Sequence, residues 1–299
     1  MPRVDIHAHI LPGLDDGPVT IEESLAMARM AARDGTEVIV ATPHYRDMEL
    51  EHRSGRVIRE LADTINAALR SDSARRNSPS VRIFTGMIHR LDTSLPDLVD
   101  SENAITLNRT RFLLVEPPFS RLPAYVEEVI GRLITQRLVP VLAHPERNIE
   151  FQRNPKRLQV LVRDGVIVQL AAGSLTGENG AASRRAAEKF IRRGIVHVVS
   201  SEMHNERSPR SPILSEAFDI VSELVGEEDA IDLFETNPDM ILEGRSPQLR
   251  ERSARSRRPR LRRSWIRMPG LTNYNPITGI TQRKWQRRFR RVMRLKYRG

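Results

Sequence analysis

The chain has 299 residues, no cysteine and a formal charge of +10; disulfide and thiolate chemistry are excluded, and any metal must take nitrogen and oxygen ligands. The charge is uneven: residues 246–299 carry 18 of the 48 Lys and Arg and one of the 38 acidic residues, leaving 30 against 37 in residues 1–245. An acidic globular domain over 1–245 followed by a basic tail over 246–299 is the expected organisation. No apolar run reaches the roughly 18 residues of a membrane span, and residues 1–5 lead straight into a strand without a signal-peptide core, so a cytoplasmic protein is expected.

In chain order, short runs rich in Val, Ile and Leu predict strands at 3–7, 37–42, 81–86, 111–116, 139–144, 166–170 and 195–200. Helices are predicted between and after them. The first, at 21–33, opens with a Thr20/Glu23 capping box and ends before Gly35. A second carries Ile58, Leu61, Ile65 and Leu69 at helical spacing, and residues 71–80 read as a polar loop. Further helices fit 124–136, 155–163, 181–193, 213–225 and 227–234. Seven β/α units in strict alternation predict a closed or nearly closed α/β barrel rather than an open sheet, with its functional site at the carboxyl ends of the strands. In the tail, residues 282–298 place Trp285, Phe289, Val292, Met293 and Tyr297 on one helical stripe between arginines. That pattern suits an amphipathic helix on an anionic membrane surface, a partner favoured over nucleic acid.

The strand ends carry the chemistry. His7 and His9 lie two apart on an extended segment and share a side. They are followed by Asp15-Asp16-Gly17, Pro43-His44-Tyr45, Val115-Glu116-Pro117, His144-Pro145-Glu146-Arg147 and Glu202-Met203-His204. Five of the eight histidines fall in these clusters; His52, His89 and His197 read as ordinary surface or packing residues. Imidazole and carboxylate together suit zinc, manganese or iron, and several such groups round one cleft suit hydrolysis on two or three ions. Asp15 reads as a turn residue before Gly17. Arg147 and Arg210 are candidate phosphate clamps, since a guanidinium fork matches phosphate oxygens. The strand end at 169–174 offers only small and polar groups.

With these motifs assembled, residues 1–245 resemble the PHP-superfamily manganese-dependent protein-tyrosine phosphatases of bacterial capsule and exopolysaccharide synthesis. The stretches that carry the resemblance are DIHAHILPGLDDG, EESLAMA, VIVATPHY, RLD at 90–92, LLVE, PVLAHPERN, AGSLTG and VHVVSSEMHN. The resemblance implies a distorted (β/α)7 TIM-like barrel of the PHP type and up to three ions, one held by His7, His9 and Glu202, one by Glu116 and His144, and one by Asp16, His44 and His204. It also implies Arg147 and Arg210 on the phosphate, with a phosphotyrosine segment of a bacterial tyrosine kinase as the substrate. A homo-oligomer is compatible with the sequence. The chain departs from the family pattern twice. Gly86-Met87-Ile88 stands where a bridging glutamate is usual, and Ser201-Glu202-Met203-His204 carries glutamate where aspartate is usual. An aliphatic Ile88 cannot ligate, which lowers the expected number of ions and the expected activity. The alternative function is therefore a weakly active or inactive relative that binds a phosphorylated partner or, through its basic tail, anionic membrane or nucleic acid.

Overall fold

The structure is a computed structural model that describes residues 3–45, 55–76, 79–100, 104–207 and 209–249. The predicted helix at 282–298 lies outside the described residues. Among the described residues all eight strands are parallel: β1 (Arg3–Ala8), β2 (Thr36–Ala41) and β3 (Arg82–Thr85) form one sheet, and β4 (Ile88–Arg90), β5 (Phe112–Glu116), β6 (Val139–Ala143), β7 (Ile167–Ala171) and β8 (Val198–Ser200) form another. Single rungs join the two sheets at both seams. The His9 amide donates to Met203 O (2.8 Å) and the Glu202 amide to His7 O (3.0 Å), tying β1 to the end of β8. At the other seam Ile88 N donates to Pro43 O (3.2 Å) and Tyr45 N to Ile88 O (3.1 Å). The result is the distorted barrel expected.

One predicted strand, 81–86, is realised as two pieces. β3 pairs with β2, β4 pairs with β5, and the change of partner falls at Gly86-Met87. A side chain at Gly86 would stand 2.9 Å from Leu107 Cδ2 and 3.1 Å from Val40 Cγ1, so only glycine lets the strand cross over here. β8 is shorter than predicted because His197 replaces a ladder rung: its Nδ1 accepts from the Val168 amide at 3.0 Å.

The helices are α1 (Ile21–Asp34), α2 (Gly55–Arg76), α3 (Leu95–Asp100), α4 (Val126–Thr135), α5 (Ile149–Arg153), α6 (Pro155–Arg163), α7 (Ala172–Thr176), α8 (Ala181–Arg193), α9 (Ser215–Val225), α10 (Glu227–Ile231) and α11 (Asn237–Leu242). Thr20 and Glu23 cap α1 reciprocally, and Gly35 closes it at φ 97°. The predicted loop 71–80 is corrected: α2 runs on to Arg76, since no Pro or Gly interrupts it and Asp72 Oδ2 accepts from Arg29 Nε on α1 at 2.7 Å. The helix predicted at 227–234 becomes α10, a π-helical turn at Asp232–Thr236, and α11.

Three apolar clusters follow from strand alternation. Val4, Ile6, Val40, Ile88, Leu114 and Val198 fill the barrel, plugged from below by Ile241 and Leu242 of α11. Ala8, Ile39, Met27 and Ile58 pack α1 and α2 on the outer face of the first sheet. Leu113, Leu142, Val168 and Phe190 belong to the cluster outside the second. The chain switches parity within β1. Asp5 pairs with Ile39 and Ala8 with Ala41, so β1 covers with three residues a span that β2 covers with two. This bulge sends Ala8 outward and turns His7 and His9 to the mouth above Val4 and Ile6, as bulges beside functional sites do.

Candidate metal centre

Alternation alone brings Glu116, His44 and Gln169 to the mouth, each two or four residues beyond an interior residue of its strand. Glu202, four residues beyond interior-facing Val198, falls on the same side, whereas His144 directly follows interior-facing Ala143; both adopt left-handed backbone, φ 55° and 33° respectively. Arg210 does the same at φ 68°. Such conformations cost about 1–3 kcal/mol each and persist where the surroundings over-determine them.

One half of the centre contains His7, Glu116, His144 and Glu202. His144 Nε2 lies 3.3 Å from Glu116 Oε1 and 3.9 Å from Glu202 Oε1, and its ring is 5.7 Å from that of His7. The Arg147 guanidinium donates to Glu202 Oε1 at 2.6 Å. In the other half, His9, Asp16, His44 and His204 each offer a ligand atom, all within 4.8 Å of one another. His204 stacks on His9 with centroids 3.8 Å apart, its Nε2 is 3.1 Å from Asp16 Oδ1, and Arg210 donates to Asp16 Oδ2 at 3.1 Å. The eight candidate ligands and the two candidate clamps, Arg147 and Arg210, are therefore brought together at the mouth. The resemblance groups His9 with His7 and Glu202, whereas the geometry places it equally among Asp16, His44 and His204.

The histidines are held for ligation. His7 Nδ1 donates to Gln169 Oε1 (3.0 Å), His9 Nδ1 to Asp15 Oδ2 (2.6 Å) and His204 Nδ1 to the Glu202 carbonyl (2.7 Å). Those partners assign the tautomers and leave the Nε2 lone pairs facing inward. His7 Nε2 and His9 Nε2 then stand 3.2 Å apart, two acceptors face to face. Burial pushes the His7 imidazolium down to about 3 and His9 well below its usual value. Burial would raise Glu202 and Glu116, but His144 with Arg147 holds the first at about 2, and the hydrogen bond and charge of His144 hold the second at about 2. Neutral His7 and His9 and ionised carboxylates are the states a divalent cation requires, whereas His144, which burial alone would push down, is held up by Glu202 and Glu116 and must release its proton to ligate. Glu202 Oε2 is also buried with no hydrogen-bond donor among the described residues. A cation between these groups satisfies the facing lone pairs and the orphaned oxygen together, so the donor set fits a metal.

Sequence reasoning missed the supporting residues. Asp15 is the turn residue expected, accepting from the Gly17 amide at 3.1 Å, but its other oxygen fixes His9 and accepts from the His44 amide at 2.9 Å. Gln169, read as merely polar, fixes His7. Asp5, fully buried and pushed up to about 6 by desolvation, ties β1 to Ser201 and accepts from the His7 amide. Glu146 accepts from Ser174 Oγ (2.6 Å) and the Ala171 amide (3.1 Å), which explains why HPER and AGSLTG occur together. His89 does not replace a ligand at position 88: its Nε2 faces the backbone of Ile105. Asp15→Asn keeps the shape but weakens the acceptor, so metal affinity in a calorimetric titration should fall about 10- to 100-fold with the fold intact.

Asn148 positions the rim. Its Oδ1 caps α5 through the Glu150 and Phe151 amides, and its Nδ2 donates to Pro118 O and Ser120 O. Asn148→Ala loses the cap and leaves those carbonyls unpaired, an expected loss of about 1–2 kcal/mol in urea unfolding.

A family model described as capsular polysaccharide synthesis, CpsB/CapC, matches residues 3–243. The chain belongs to the CpsB/CapC family. Among members, it is 33% identical over 205 residues to the tyrosine-protein phosphatase YwqE of Bacillus subtilis, covering 69% of this chain and 78% of that protein. With the tyrosine-protein phosphatase CpsB of Streptococcus pneumoniae the identity is 29% over 246 residues, 80% of this chain and 98% of that one. A chain from the crystal structures of YwqE and CpsB, described as unique metal-dependent tyrosine phosphatases, aligns with a TM-score of 0.73 at 30% identity, covering 83% of this chain and all of its own. The barrel extends to more distant proteins: a dihydropyrimidinase from Brevibacillus agri aligns at a TM-score of 0.50 and 12% identity over 82% of this chain and 71% of its own. The CpsB/CapC match stops at residue 243, before the basic tail.

Proposed function

We propose that this CpsB/CapC member is a metal-dependent protein-tyrosine phosphatase whose substrate is the phosphotyrosine segment of a bacterial tyrosine kinase controlling capsular or exopolysaccharide synthesis. The observation that carries the reading is the convergence of five histidines, three carboxylates and two arginines at one barrel mouth, in a chain whose relatives are tyrosine phosphatases. The reading takes up to three ions; what supports it among the described residues is the cluster His9, Asp16, His44 and His204, with His7, Glu116, His144 and Glu202 beside it. Manganese suits this oxygen- and imidazole-rich set, as do iron and zinc. Bound there, the ions would supply Lewis acidity for phosphoryl transfer and activate water near neutral pH.

The chain's own residues do the rest. Arg147 and Arg210 flank the centre from opposite halves and can take the nonbridging oxygens of the phosphate. Their present carboxylate partners, Glu202 and Asp16, keep both guanidinium groups at the rim instead of in solvent. Gln169, Asp15 and the Glu202 carbonyl hold three rings in a fixed tautomer, so the proton stays on Nδ1 and the Nε2 lone pair stays turned to the centre. Arg147→Ala and Arg210→Ala should each lower kcat/KM for a phosphotyrosine peptide by about 10- to 100-fold while metal content is retained. Unchanged kinetics in both variants would remove the phosphate clamp from the account.

The reading places the protein in the cytoplasm, with the basic tail drawing it to the anionic membrane face. Support comes from the tail's arginines and its aromatic stripe. Anionic vesicles should bind the full chain and release it with salt, and deletion of residues 246–299 should abolish binding. Equal binding after deletion would contradict this.

A further inference from the structure

Phe119 is an anomaly for a large apolar side chain: 46% exposed, at the lip of the metal centre. The exposure is not a loose loop. Asn148 Nδ2 donates to the carbonyls on either side of it, Pro118 O and Ser120 O, and the Ile149 amide donates to Phe119 O at 3.0 Å. The preceding Pro117-Pro118 stiffens the segment further. The ring is thus presented on a rigid frame. It lies against one half of the centre, touching a candidate ligand and a candidate clamp: it stacks on His144 with centroids 5.5 Å apart and 21° between planes, and carries the Arg147 guanidinium 4.5 Å over its centroid.

From this placement we infer that Phe119 is a specificity-determining residue that receives the aryl ring of the substrate while Arg147 holds its phosphate. The inference rests on the phosphatase reading and deepens it. A phosphoryl group held by Arg147 has its ester substituent emerging next to an aromatic surface. An aryl ester can stack there at the usual 4.5–7 Å between centroids, whereas the short alkyl stem of a phosphoserine cannot. Rigid presentation matters because an aromatic already ordered loses little freedom on binding.

The test is calorimetric titration of the manganese-loaded full chain with benzylphosphonate and with methylphosphonate, neither of which is hydrolysed. Wild type should bind the benzyl compound more tightly. Phe119→Ala should weaken benzylphosphonate by about tenfold, equivalent to about 1.4 kcal/mol, leave methylphosphonate within about twofold, and Phe119→Trp should restore the preference. Methylphosphonate binding also reports that each variant is folded and its arginine in place. Equal weakening of both ligands would mean that Phe119 only positions Arg147, and an unchanged ratio would mean that it touches neither; each result overturns the assignment while leaving the phosphatase reading intact. Wild-type protein that binds neither phosphonate and hydrolyses no phosphoester would overturn the phosphatase reading, and this assignment with it.

Discussion

Alanine at His44, His144 or His204 is expected to lower metal-dependent turnover by about a hundredfold or more, whereas alanine at His52, which belongs to none of the strand-end motifs, should leave it unchanged. Each of the three rings supplies a nitrogen to a centre in which every other donor is already placed. Loss of His204 leaves Asp16 with Arg210 as its remaining partner and removes the ring stacked on His9. Loss of His144 leaves Glu116 and Glu202 close together without the imidazole between them. Activity should therefore fall together with metal content, measured by elemental analysis of protein whose thermal melting confirms the fold. Equal turnover in all four variants would show that these nitrogens hold no catalytic ion.

Ile88→Glu should act in the opposite direction on activity and strongly on stability. Ile88 is 1% exposed within the barrel, opposite Leu114, and its backbone bonds to the segment that carries His44. A carboxylate buried there without a counter-ion should destabilise the metal-free protein by several kcal/mol. With cations nearby the same charge becomes a ligand and reduces their mutual repulsion. The metal-free variant should melt well below wild type and recover on addition of manganese. Metal stoichiometry and turnover should rise together, turnover by about tenfold. Unchanged metal content with unchanged or lower turnover in a folded variant would mean that the centre is already complete around Ile88.

The barrel was legible because each strand is a short apolar run followed by a helix, and the site because histidines and carboxylates recur where such runs end. Local geometry was less so. The bulge that swings His7 and His9 to the mouth depends on pairing with β2, and the break at Gly86-Met87 depends on Val40 and Leu107, neither adjacent in sequence. Gln169 escaped notice because its partner, His7, lies 162 residues away. Asp15 was visible only in its local role, since a turn beside Gly17 explains its presence without any reference to His9. Phe119 carried a signal, an aromatic after two prolines beside a ligand, but its exposure follows from bonds to Asn148 that no spacing rule predicts. The helix at 71–76 was misread because polar composition resembles a loop until α1 supplies Arg29.

The central claim is that this barrel mouth is a metal-dependent tyrosine phosphatase centre in spite of Ile88. It is tested most directly by elemental analysis of the purified full chain alongside turnover of a phosphotyrosine peptide, before and after chelation. The account predicts bound divalent metal, peptide hydrolysis that disappears with chelator, and recovery on adding manganese. Metal-free protein that stays inactive when manganese is supplied, or hydrolysis that survives complete chelation, would contradict it.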